Sequence, residues 1–131
     1  MFLLIWVLNL WGAVHFAHPP LVLRVSVEEP ARGQWMVSLR NAQGKPLQER
    51  VFPVKGSVKS AELNWGPLEP GTYTLAVYLD QNRNNKLDKG LVGQPLEPYA
   101  FSNNARAPFS SPNLEEQRFA HPGKLPVLLL R

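Results

Sequence analysis

From Pro20 onward the chain alternates apolar and polar residues with a period of two. Leu21, Leu23, Val25 and Val27 fall on one side, Val22, Arg24 and Ser26 on the other, which is the pattern of a strand with one buried face. Trp35, Val37 and Leu39 alternate with Met36, Ser38 and Arg40 to predict a second strand, followed by turn chemistry at Asn41-Ala42-Gln43-Gly44. A weaker strand is expected around Leu47 to Val54, and Ala61, Leu63 and Trp65 line one side of a fourth. The turn Leu68-Glu69-Pro70-Gly71-Thr72-Tyr73 launches the clearest strand, with Tyr73, Leu75, Val77 and Leu79 on one face. Phe119, a His121-Pro122-Gly123-Lys124 turn and Leu125 to Leu130 close the chain. About seven short strands separated by turn signals, with helix limited to a turn or two near Asn113 to Gln117, predict an all-β fold: a single β-sandwich over residues 18–131.

Residues 1–17 break the pattern. They contain no Asp, Glu, Lys or Arg, and Phe2 to Leu8 is an unbroken apolar run. The stretch is short for a spanning helix, and Asn9, His15 and the Pro19-Pro20 pair oppose one. An export signal ending near Ala17 is the expected reading, with an uncleaved anchor as the alternative. The basic n-region is missing, and cleavage after Ala17 puts His15 where a small residue is preferred. The signal places the mature domain in the periplasm or outside the cell, and contact with a membrane is expected only through this segment during export.

Composition changes the picture in two ways. Cysteine is absent, which removes disulfides, thiolate metal sites and thiol nucleophiles together. The balance of 14 Lys+Arg against 10 Asp+Glu gives +4, yet no two basic residues are adjacent. A solvated surface therefore outweighs a nucleic-acid footprint, which needs a clustered basic face.

One stretch, Gln81 to about Gln117, shows little alternation, and a segment that long in a compact domain is usually functional or disordered. It opens with the chain's most informative residues. From Asp80 to Asp88 the order Asp80-Gln81-Asn82-Arg83-Asn84-Asn85-Lys86-Leu87-Asp88 puts oxygen-bearing side chains at positions 1, 3, 5 and 9, with the Lys86 carbonyl available at position 7. Alternate residues of a tightly curled loop point inward, and calcium takes six to eight oxygens at about 2.3–2.6 Å. Asp80, Asn82, Asn84, Lys86 and Asp88 are therefore candidate calcium ligands, and Asp80 and Asp88 are the only aspartates in the sequence. Two positions depart from the usual loop. Asn85 stands at position 6, where glycine supplies a positive φ and Asn is the best substitute, and Leu91 stands at position 12 in place of a bidentate Glu. Arg83, Lys86 and Lys89 against the two aspartates leave a formal loop charge of +1, so only weak binding is expected. A polar turn in which Asn and Asp bond their own backbone is the competing reading.

Four motifs in order extend the pattern: Pro70-Gly71-Thr72-Tyr73, Asp80-x-Asn82-x-Asn84-x-Lys86-Leu87-Asp88, Gly93-x-Pro95-x-Glu97-x-Tyr99-x-Phe101-Ser102-Asn103-Asn104, and Pro112-x-Leu114-Glu115-Glu116. Over roughly residues 58 to 130 the chain resembles the domain-of-unknown-function 2141 family, a group of exported bacterial proteins with no established activity. Leu79, Asn85, Ala100, Leu114 and Gln117 stand where that family more often has His, Gly, Gly, Phe and Ala. The resemblance implies an envelope-targeted sandwich similar to prealbumin-like or Ig-like domains, and it names no substrate.

Glu97 lies between Pro95 and Pro98 and is the only carboxylate between Asp88 and Glu115. A stiff backbone there gives it the means to fold back and supply the carboxylate that Leu91 does not. Ser102, Asn103 and Asn104 are expected to bond loop backbone, and Tyr99, Phe101 and Phe109 to pin the long segment to the sandwich. Catalytic constellations are missing from the sequence: there is no G-x-S-x-G elbow, H-E-x-x-H helix or phosphate-binding glycine loop. His121 reads as a surface turn residue, and adjacent Glu115 and Glu116 do not share a site. The expected function is a non-catalytic exported module with a calcium-ordered loop and a structural or binding role toward an envelope protein or glycan. The alternative is a metal-assisted hydrolase or carbohydrate-active domain using the same loop.

Overall fold

A computed structural model describes residues 18–107 and 110–131. The expectations for residues 1–17 and for Phe109 lie outside the described residues. Strands β1 (Pro20–Ala31), β2 (Gln34–Asn41), β3 (Pro46–Pro53), β4 (Val58–Pro67) and β5 (Gly71–Asp80) follow one another through short turns. After a long loop come β6 (Tyr99–Phe101), a 3-10 turn at Ser102–Asn104, the one-turn helix α1 (Leu114–Gln117), β7 (Phe119–His121) and β8 (Val127–Leu130).

The strands form two sheets. One has the order β4-β1-β8, with β1 antiparallel to β4 and parallel to β8. The other has the order β3-β2-β5-β6, and β7 also pairs with β5. The period-two faces predicted from the sequence turn inward. Leu21, Leu23, Val25 and Val27, Trp35, Val37 and Leu39, Leu63 and Trp65, Leu75, Val77 and Leu79, and Leu128 and Leu130 make one buried cluster. Burial of such side chains is the main source of stability, at about 1.5–3 kcal/mol each.

The weak periodicity of β3 has a physical cause. β3 is an edge strand, and its Arg50, opposite Val37, stacks 4.4 Å from the Trp65 ring centroid while donating to the Trp65 carbonyl. An inward-pointing charge on an edge strand discourages pairing with another chain, and the ring face holds the guanidinium. On the opposite side, Tyr99 and Arg131 exchange backbone hydrogen bonds of 3.0 and 3.2 Å, stitching the start of β6 to the end of β8.

Two expectations are corrected. The Gln81–Gln117 stretch contains a strand, β6, whose residues pair Tyr99 with Tyr78, Ala100 with Val77 and Phe101 with Ala76. Three residues carry too little alternation to show a period; their partner strand supplies the register. His121 is not a surface residue: it is 7% exposed, and its Nε2 lies 2.9 Å from the Pro19 carbonyl oxygen.

Ser102, Asn103 and Asn104 do bond backbone, but that of β5, β8 and the end of α1 rather than that of the loop. Ser102 Oγ accepts from Leu75 N at 3.0 Å and donates to the Gln117 carbonyl. Asn103 Nδ2 donates to the carbonyls of Glu116 and Arg118, and Asn104 bridges Val127 and Leu129 of β8. Tyr99 and Phe101 are half-buried and meet edge to face, with centroids 6.1 Å apart. The remaining loop, residues 81–98, emerges from β5 at Asp80 and returns at β6.

Candidate functional site

Asp80 is the last residue of β5 and is fully buried. β5 carries it there because Leu75, Val77 and Leu79 hold that strand in the core, and the ladder sets Asp80 opposite Gln34 of β2. Its Oδ2 accepts from Gln34 Nε2 and from Asn85 N, both at 2.8 Å, and its Oδ1 accepts from Asn84 N at 3.2 Å. One carboxylate thus draws the chain back on itself. The reversal uses positive φ at Arg83 (56°) and Asn85 (61°). Asparagine tolerates that conformation, as expected for position 6, whereas arginine is not a residue type that marks one.

Within the curl, Asn82 and Asn84 each serve the backbone two residues on. Asn82 Oδ1 accepts from Asn84 N at 3.3 Å and Asn84 Oδ1 from Lys86 N at 3.0 Å, the side-chain turns that Asn and Asp favour. Their amide nitrogens converge on Asp88: Asn82 Nδ2 donates to Oδ2 and Asn84 Nδ2 to Oδ1, both at 2.7 Å. These donors, with Asn84 contributing most, lower the Asp88 carboxyl below its ordinary 3.8 against an opposing effect of burial. Lys86 takes part through its backbone, and its side chain is exposed.

Glu97 does fold back onto the loop. It is 5% exposed, its Oε2 accepts from Gln81 N at 2.6 Å and its Oε1 from Asp88 N at 3.0 Å. One carboxylate therefore clamps both ends of the Asp80–Asp88 curl, and Leu96 N adds a bond to the Asp88 carbonyl at 2.8 Å. The clamp is precise because Pro95 and Pro98 fix φ on either side of it.

The structure thus brings Asp80, Asn82, Asn84, Lys86, Asp88 and Glu97 into one hydrogen-bonded unit. Each carboxylate is engaged separately with N–H donors, and among the described residues no three acidic or histidine side chains stand at metal-holding distance from one another. The amides present their NH₂ ends to Asp88. An amide that turns about its last side-chain bond offers oxygen instead, so the donor set suits a hard cation after that rotation. The ion pairs among the described residues, Arg24–Glu62 at 3.7 Å and Arg131–Glu28 at 4.0 Å, lie elsewhere on the surface. The negative charge of the site reaches its surroundings: Tyr78 is raised above 10.0 by burial first and then by Asp80, Glu97, Glu49 and Asp88.

Sequence reasoning missed Gln34, which bonds Asp80 and also reaches Asn85 Oδ1 at 2.8 Å. It also missed Gly33, whose φ is +92° and where an added Cβ would lie 2.0 Å from the Asp80 carbonyl oxygen. A glycine beside a strand marks a close backbone approach, and that was the available signal.

An all-β chain with two sheets and a polar loop held by buried carboxylates defines the class. The domain-of-unknown-function 2141 family, described as uncharacterized protein conserved in bacteria, matches residues 23–125, and the chain belongs to it. Comparison with curated proteins and with solved structures returned no match.

Proposed function

We propose that this protein is a non-catalytic exported module, a sandwich of the prealbumin-like or Ig-like kind, whose Asp80–Asp88 loop is ordered by one calcium ion. Its role is structural or partner-binding in the cell envelope. The observation that carries the reading is one hydrogen-bonded loop in which two Asn amides converge on Asp88 while the buried Asp80 and Glu97 carboxylates, each on its own N–H donors, hold the ends of the curl. The ion takes oxygen from Asp80, Asn82, Asn84, the Lys86 carbonyl and Asp88, with Glu97 as the remaining carboxylate. Asn82 and Asn84 turn their oxygens inward as it enters. That rearrangement, together with the basic side chains of Arg83, Lys86 and Lys89, limits affinity to a Kd on the order of 10⁻⁴–10⁻³ M, the range of extracellular modules.

The test is isothermal titration and thermal unfolding of protein stripped with chelator and then titrated with calcium. At ten times Kd, binding to the native state alone stabilises by about 1.4 kcal/mol, a rise of roughly 5 °C in Tm. Asp80→Ala and Asp88→Ala abolish the calcium-dependent rise, and the exposed Glu115→Ala leaves it intact. No heat and no rise in wild-type protein would make the loop a polar turn held by its own hydrogen bonds.

A further inference from the structure

The sheet that carries Asp80 also carries a groove on its outer face, about 210 Å³ in volume. Its shape follows from the strand register. Ser38 of β2 pairs with Ala76 of β5 and Glu49 of β3, and Met36 pairs with Tyr78 and Val51 in the next row. These residues alternate with Trp35, Val37, Val77 and Leu79, which face the core, so their side chains point outward. Ser38 and Ala76 are small and lie side by side, which makes a floor. Met36, Tyr78 and Val51 stand along one side of it, and Arg40 stands two residues further along β2 on the other.

Polar groups converge on this groove without being used up. Arg40 donates through Nε to Ser38 Oγ at 3.1 Å, and the two terminal nitrogens of its fork have no partner among the described residues. Glu49 is exposed and belongs to neither ion pair of the described residues. A cation and an anion thus line one groove without pairing with each other. Tyr78 adds a hydroxyl, kept protonated because burial and the surrounding carboxylates raise it above 10.0. Asn85 enters from the loop, its N–H held by Asp80 Oδ2 and its side chain by Gln34. Convergent polar groups beside apolar side chains mark small-molecule sites, and a volume below the roughly 300 Å³ at which such pockets begin requires a small occupant. Charge selects its class. A net anion or cation meets one like charge here, whereas a zwitterion meets two opposite ones.

We propose that this groove binds a free α-amino acid with an apolar side chain. The Arg40 fork takes the carboxylate through two parallel N–H bonds, Glu49 takes the ammonium, and the apolar side chain lies against Met36 and Val51. The inference goes beyond the calcium reading and does not rest on it, since Asn85 is held by hydrogen bonds that involve no ion.

The test is an NMR titration of the isotope-labelled protein, in chelator, with L-leucine as the probe. Saturable shifts of the backbone amides at Met36–Arg40, Glu49–Val51 and Ala76–Tyr78 are expected, with a millimolar Kd because an open groove covers only part of so small a ligand. L-Leucine amide lacks the carboxylate and binds about tenfold more weakly. N-Acetyl-L-leucine lacks the ammonium and, against the exposed Glu49, loses about threefold. Arg40→Gln weakens leucine binding by about tenfold and removes the penalty of the amide, a coupling that a general disturbance of the sheet does not produce. Ser38→Leu fills the floor and abolishes binding, and Glu115→Ala leaves it unchanged. Arg40→Gln alters a surface side chain and keeps the test decisive if Ser38→Leu does not fold. Absence of shifts up to the solubility limit of leucine, shifts spread outside the three strands, or equal binding of either derivative overturns the proposal and leaves the calcium titration to stand or fall separately. Binding of D-glucose at the same amides with none of leucine would assign the groove to a saccharide, and overturns it as well.

Discussion

Replacing Glu97 with Ala tests whether the loop is held by the clamp or merely decorated by it. The change removes the acceptor for two backbone N–H groups, Gln81 N at 2.6 Å and Asp88 N at 3.0 Å. A hydrogen bond to a charged group contributes about 1.5–3 kcal/mol, and a donor left without a partner adds its desolvation cost. The Gln81 and Asp88 ends of the loop are open to water, which takes over part of the lost bonding, so the lower end of that range applies to each. The sum is about 3 kcal/mol, a large part of the 5–15 kcal/mol that holds a domain together. At about 4 °C per kcal/mol for a domain of this size, Tm falls by roughly 12 °C. Glu97→Gln keeps one carbonyl acceptor and places an NH₂ against the second N–H, so it recovers less than half of the loss. Thermal unfolding followed by circular dichroism at neutral pH, in chelator, isolates this effect from any ion. The exposed Glu115→Ala serves as the reference and stays within about 0.5 kcal/mol of wild type. A Glu97→Ala melting point within roughly 2 °C of wild type would overturn this: the two bonds would then be replaced by water at no cost, and the loop would be ordered by Asp80, Asp88 and the Asn turns without the clamp.

Two further outcomes follow from the same geometry. Asp88 is more acidic folded than its ordinary 3.8 because Asn84 and Asn82 donate to it. It therefore contributes stability that is present above the unfolded value and lost as pH falls through the folded one. A pH series of urea unfolding should show that loss in the acid range below about pH 4, reduced in Asp88→Asn, and an unchanged acid slope in the variant would count against the amide–carboxylate contact. Gly33→Ala forces a Cβ to 2.0 Å from the Asp80 carbonyl oxygen at φ +92°, so a loss of about 3 kcal/mol or more is expected in the same assay, and a neutral result would mean that β2 and β5 are not registered as described.

Strands whose side chains alternate over five or more residues could be read from the chain alone. Leu21 to Val27, Trp35 to Leu39 and Tyr73 to Leu79 were legible because a strand buried on one face must repeat its apolar residues every second position. The chain also marked the Asp80–Asp88 curl, since turn-forming Asn and Asp side chains act on the backbone two residues away and leave a local record. Glu97 was half legible: its prolines announced a fixed backbone, and its direction did not follow from them. Everything that depends on a distant partner was set by folding. β6 exists because β5 supplies a ladder for three residues, His121 is buried because Pro19 returns beside it, and Gln34 reaches Asp80 because β2 and β5 align those two positions. The exposure of Leu91 and Val92 belongs to the same class. Apolar residues within a loop read in sequence as buried anchors or open tips alike, and only the closed turn from Lys89 to Pro95 turns them outward. Period and turn chemistry are short-range properties of the chain, whereas pairing, burial and exposure are relations between segments that folding alone brings together.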